Sequence, residues 1–135
     1  MKYMIIFSFG FSMLFCSSKN QDTVCGIYKS PNNSKANQLI FSSFVTELEL
    51  DLKNDNTYTM STCAQNSKGI WKLKDDKIIL ICKEKRMTID SLNNLPKFAK
   101  GKICGADEIF NIKNKKLFRK DKIGTKNVNF ILLKD

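Results

Sequence analysis

Residues 46–60 read Thr46-Glu47-Leu48-Glu49-Leu50-Asp51-Leu52-Lys53-Asn54-Asp55-Asn56-Thr57-Tyr58-Thr59-Met60. Leu48, Leu50 and Leu52 fall on one side of an extended chain, and Glu47, Glu49 and Asp51 on the other. An alternation of period two marks a strand with one wet face and one dry face. Asn54-Asp55-Asn56 then breaks the strand as a turn. The segment 57–64 resumes with β-formers and places Tyr58, Met60, Thr62 and Ala64 on one face. Two strands joined by a three-residue turn predict an antiparallel hairpin.

Working outward, Asn66-Ser67-Lys68-Gly69 reads as a second turn, with Gly69 free to take a left-handed position. Ile70 to Lys74 is a third strand, Asp75-Asp76 a tight turn, and Lys77 to Lys83 a fourth strand. Toward the N-terminus, Val24 to Ser30 is a short strand and Pro31 to Asn37 a loop. Toward the C-terminus, Arg86 to Leu92 is expected as a fifth strand with Met87 and Ile89 facing inward, stopped by Asn93-Asn94-Leu95-Pro96. Phe98 to Gly105 fits a loop or a short helix. Glu108 to Phe118 fits two strands about a turn at Asn114. The final strand, Asn127 to Lys134, has Val128, Phe130 and Leu132 on one side. Roughly eight short strands and at most one short helix predict an all-β fold. A sheet of that size cannot leave an apolar face wet, so it closes as a small antiparallel barrel or folds over as a sandwich. Closure as a barrel also removes the sheet edges.

The chain of 135 residues begins with Lys2 and an almost wholly apolar run from Tyr3 to Phe15. That run is shorter than the roughly 20 residues needed to span a bilayer. The polar stretch Ser17-Ser18-Lys19-Asn20-Gln21-Asp22 follows at once. This pattern predicts a signal peptide over 1–16, a polar tether over 17–23 and a single domain over 24–135. Cys16 is the candidate lipidation residue, which would tie the protein to the membrane by an anchor rather than a spanning helix. Cleavage after Ser18 would instead release a secreted protein. Cys25, Cys63, Cys82 and Cys104 then remain, and an oxidising compartment permits one or two disulfides among them with no pairing fixed by the sequence.

The order of these pieces resembles small exported bacterial barrels of the lipocalin-like class, many of them lipoproteins. The resemblance rests on Gly26-Ile27-Tyr28, the alternating Leu48 to Leu52, the Asn54 to Tyr58 turn and strand, Gly69-Ile70-Trp71, and Asp75-Asp76 before Ile78 and Leu80. It spans about half of the chain, Cys25 to Lys83. It implies a lipocalin-like barrel at the cell envelope. Some members of that class bind small apolar ligands. Others sense envelope stress, in one case with a Cys-x-x-Cys pair that this sequence lacks.

Chemistry is restricted by what is absent. With no histidine, imidazole-based general acid–base catalysis and imidazole metal sites are excluded. No glycine-rich phosphate loop is present. Glu47, Glu49 and Asp51 share an outward strand face and read as solvated surface rather than a pair facing across a cleft. Ser61 and Thr62 have no suitable base near them in sequence. No enzyme activity, cofactor or metal is therefore expected. Tyr58, Met60, Trp71, Leu73, Ile78 and Leu80 face inward with Leu48 and Leu50, and they line any pocket that exists. A filled interior is the stronger expectation for a small barrel. The chain carries a formal charge of +10, concentrated at Lys113, Lys115, Lys116, Arg119, Lys120, Lys122 and Lys126 with Asp121 as the lone acid among them. Such a run reads first as a solvated lysine-rich surface, since Lys and Asn are abundant throughout the chain, and otherwise as a basic patch that suits an anionic partner. With two arginines in the whole chain, nucleic acid is not the expected one. The leading expectation is an exported or lipid-anchored envelope barrel that binds a small ligand or an envelope component. The alternative is a secreted inhibitor or effector that grips an anionic macromolecule through its basic surface.

Overall fold

A computed structural model of the chain describes residues 21–31 and 47–135. The signal segment, Cys16, most of the tether and the loop after Pro31 lie outside the described residues, as do the side chains of Ile123, Lys126 and Val128. The described residues form a closed antiparallel barrel in which each strand pairs with the next and the last returns to the first. Its strands are β1 Gly26–Lys29, β2 Glu49–Leu52, β3 Thr57–Ser61, β4 Gln65–Lys74, β5 Lys77–Met87, β6 Glu108–Lys113, β7 Lys116–Ile123 and β8 Lys126–Lys134. This is an all-β, eight-stranded barrel of lipocalin-like architecture: the strand pattern predicts the all-β class and the strand number, the resemblance implies the lipocalin-like form, and closure decides for the barrel over the sandwich.

Alternation decides what lies inside. Tyr28, Leu50, Leu52, Tyr58, Trp71, Ile78, Leu80, Phe110, Leu117 and Leu132 are almost wholly buried and form one cluster. Removing each such side chain from water is worth roughly 1.5–3 kcal/mol. The turns β2–β3, β4–β5 and β6–β7 gather at one end, the foot. There the helical turn α1, Gln21–Val24, packs beneath the barrel, so the end of the expected tether is part of the fold. Val24 is buried, the Tyr28 hydroxyl donates to the Val24 carbonyl at 2.6 Å, and Lys134 Nζ donates to the Thr23 carbonyl at 2.9 Å. Trp71 Nε1 donates to the Lys53 carbonyl at 2.9 Å, which ties β4 to the β2–β3 turn. In that turn Asp55 accepts from both the amide and the hydroxyl of Thr57, and Asn56 takes a left-handed φ of 65°.

Three expectations fail, each for a reason that local pattern does not carry. Asn66 to Gly69 is not a turn: β4 already runs from Gln65, and the reversal is made at 62–64, where Thr62 Oγ1 accepts from the amides of Ala64 and Gln65. Gly69 has no left-handed φ; it lies where β4 meets a register shift in β5. Arg86 and Met87 end β5 instead of opening a fifth strand, and Ile89 is exposed rather than inward. The chain from 88 to 107 crosses the other end, the mouth, through 3₁₀ segments at Asp90–Asn94 and Pro96–Lys102. Asn93 locks that crossing by accepting from the Met87 amide and donating to the Met87 carbonyl, and the Cys82–Cys104 disulfide ties it to β5.

A pH response follows from the foot. Burial, reinforced by the nearby Cys25, pushes the Tyr28 phenol from 10.0 up to about 12. The folded state thus favours the protonated phenol. Its contribution is fully present below pH 10 and is lost as pH rises through 10 toward 12. The two-unit shift corresponds to roughly 2–3 kcal/mol. Chemical denaturation of wild type and Tyr28→Phe across that window checks it: wild type should lose more stability with rising pH than the variant, and parallel losses would contradict the assignment.

Candidate functional site

The sequence-predicted pocket residues divide by height within the barrel. Trp71, Leu73, Ile78 and Leu80 lie in the lower and middle sections, where they pack against Leu52, Phe110 and Leu117; Leu73 is only partly buried. These side chains fill the interior. Tyr58 and Met60 lie on β3 opposite Gly69 and Ser67 of β4, and the Tyr58 hydroxyl faces the mouth.

The basic run requires a correction. Lys113, Lys115, Lys116, Lys120 and Lys122 are exposed, but Arg119 is not part of that surface. On β7 it shares the inward parity of Leu117, and its side chain is 18% exposed. The guanidinium sits 4.5 Å from the Phe130 ring centre and 5.1 Å from that of Phe110, a stacked cationic arrangement in partly dry surroundings. It pairs with Glu108 of β6 and reaches Asp121 at 3.6 Å. Both carboxylates thus turn toward the inside of the mouth to meet it. The sequence held a signal for this, since Leu117 and Arg119 are two residues apart on one strand face.

Two buried polar atoms at this level lack hydrogen-bond partners among the described residues: Arg119 Nε and Ser67 Oγ. Ser67 is 8% exposed. Its hydroxyl faces that of Tyr58, which can serve as its hydrogen-bond partner. Burial raises the Tyr58 phenol above its ordinary value, an effect that Ser67 partly offsets and the carboxylates of Glu108 and Asp107 reinforce. Leaving a buried donor unsatisfied costs about 1–3 kcal/mol, and such groups in a native structure call for an explanation. A bound molecule offering an acceptor atom would satisfy Arg119 Nε.

The remaining candidates disperse. Of the four cysteines beyond Cys16, Cys82 and Cys104 are joined; Cys25 is half-buried at the foot and Cys63 is exposed in the β3–β4 turn. Glu49 pairs with Lys29 on the outer wall. No group of three or more His, Cys, Asp or Glu among the described residues is placed to hold a metal ion, and none of their helices is long and apolar enough to cross a membrane. Comparison with family models, with curated proteins and with solved structures returns no match to this chain. What the geometry defines is a class: a small closed barrel of lipocalin-like fold, compatible with non-catalytic binding of a small molecule.

Proposed function

We propose that this protein is an exported envelope barrel, anchored through Cys16 or secreted, that acts without catalysis by binding a small neutral ligand in the mouth section of the barrel. The observation that carries the binding is the buried, unpartnered Arg119 Nε, on a guanidinium set against the rings of Phe110 and Phe130. Charge selects the ligand class. Around Arg119 two carboxylates, Glu108 and Asp121, face one guanidinium, so the immediate surroundings of Nε hold more negative than positive charge. An anionic group placed there would meet repulsion. A mostly apolar molecule with a carbonyl or ether oxygen would accept from Nε. Export is supported by the Lys2-led apolar run to Phe15, and anchoring by Cys16 at its end.

The neutral fluorescent ketone prodan tests the site. It should bind with a blue-shifted emission, and Arg119→Met should weaken it by about tenfold or more, the range of a hydrogen bond from a charged donor. Anilinonaphthalene sulfonate, which is anionic, should bind less well than prodan. Equal prodan affinity in wild type and Arg119→Met would end the proposal. Intact mass of the chain isolated from its host, before and after reduction, reads the processing site, any acyl chains and the disulfide count.

A further inference from the structure

From the outer wall of β6, β7 and β8 we infer a docking face for an anionic lipid surface. The outward positions on these strands are Ile109, Asn111 and Lys113; Lys116, Phe118, Lys120 and Lys122; and Asn127, Asn129, Ile131 and Leu133. All are exposed except Phe118, which is half-buried. No carboxylate stands among them. The two acids these strands carry, Glu108 and Asp121, are the ones that turn inward to Arg119. The opposite arrangement holds on β2, whose outward residues are Glu49 and Asp51. One side of the barrel is therefore cationic without compensation while another is acidic.

The same wall carries unpaired apolar surface. Phe118 lies directly across from Ile131, and Leu133 across from Lys116. Ile109, Ile131 and Leu133 are 45%, 38% and 37% exposed. Large aliphatic groups interleaved with lysines, whose long stems are themselves apolar, suit the headgroup–acyl boundary of a membrane. A second copy set wall against wall is a poor occupant, because it would bring like charge against like.

Position relative to the chain's entry points the same way. Leu133, Lys115, Lys116 and Lys134 line a cavity of about 620 Å³ together with Thr23 and Asp135, the one acid there, which is paired with Lys29 of β1. Thr23 follows Cys16 by seven positions, a reach of at most about 25 Å when fully extended. A lipid on Cys16 would hold the lysine wall beside the bilayer, supplying the second signal that stable attachment needs. The inference deepens the envelope reading above and rests on it for bringing a membrane within reach.

Cosedimentation of the processed chain with vesicles tests the wall, comparing phosphatidylcholine alone with an equal mixture of phosphatidylcholine and phosphatidylglycerol. Binding should favour the mixture and fall with salt. Each wall lysine near the surface contributes about fivefold, so Lys116→Glu with Lys120→Glu should lower binding at least tenfold. Lys72→Glu with Lys74→Glu, the same charge change on exposed residues of β4, should have a far smaller effect. Equal losses in the two double variants, or no loss in the first, would overturn the inference. So would binding to a soluble polyanion such as heparin that exceeds vesicle binding and disappears in the first variant. Intact mass of the same preparations separates the two ideas. Wall-dependent binding by a chain with no acyl group sinks the anchor and leaves the wall, whereas acylated chains that bind alike sink the wall and leave the anchor.

Discussion

Gly69→Ala should unfold the barrel or lower its stability by at least about 4 kcal/mol, a size reserved for a few named mechanisms. Here the mechanism is backbone contact. A Cβ at position 69 would lie 2.1 Å from the Ile81 carbonyl oxygen and 3.0 Å from the Lys83 amide nitrogen. Neither atom belongs to a flexible side chain, so neither can step aside. The contact arises because Gly69 pairs with Cys82 while the preceding Lys68 pairs with Glu84, leaving Lys83 as the extra residue of a bulge. Bulges bend and twist a strand, which lets a sheet curl into a closed barrel. Relief of the clash requires β4 and β5 to part where the register shifts, in the longest pairing of the barrel. Gly105→Ala is the control, since a Cβ there meets nothing within 4 Å; it should change stability by no more than about 0.5 kcal/mol. Urea denaturation followed by circular dichroism measures both. A Gly69→Ala midpoint close to wild type would mean that β4 and β5 do not approach in this way.

Trp71→Ala should cost about 3–5 kcal/mol, the range for removing a large aromatic from a packed core. The indole is 1% exposed and is the largest side chain of the cluster. It also holds the Lys53 carbonyl through Nε1 at 2.9 Å. Truncation opens a cavity at the foot and removes one of the two donors to the Lys53 carbonyl, leaving the Asn56 amide as the other. Both losses fall on the section where α1 and the β2–β3 turn meet. Against a typical domain stability of about 5–15 kcal/mol, the variant should be only marginally folded. Trp71→Phe keeps much of the volume and loses the hydrogen bond, so it should cost markedly less. Thermal melting by circular dichroism ranks the three proteins. A Trp71→Ala protein that melts with wild type would place the indole outside the core. Because the chain has a single tryptophan, the wild-type fluorescence should also be blue-shifted and move red on unfolding.

How legible the fold was depended on the kind of signal involved. Strands with one wet face were readable because burial on a single side imposes period two, as in Leu48, Leu50 and Leu52. The turn at 54–56 was readable because Asp55 and Asn56 act on their own neighbours. The Asn66 to Gly69 stretch misled for a related reason: its composition is that of a turn, yet paired neighbours on β3 and β5 satisfy its backbone as strand. Met87 and Ile89 look alike in sequence, two residues apart. Only the crossing chain, clasped by Asn93, separates the buried one from the exposed one.

By itself the sequence determined the all-β class, the inward faces of the clearest strands, the turns at 54–56 and 75–76, and the exclusion of imidazole chemistry. Those follow from local periodicity and from residue types, which need no knowledge of what lies across the barrel. Tertiary structure alone decided that Cys82 pairs with Cys104, that Gly69 is needed for closeness rather than for a left-handed turn, and that Arg119 leaves the basic surface to sit between Phe110 and Phe130. Each of these depends on which strands become neighbours when the sheet closes. Closure brings together residues far apart in the chain, and their mutual distance is set by register and bulges that no single segment specifies.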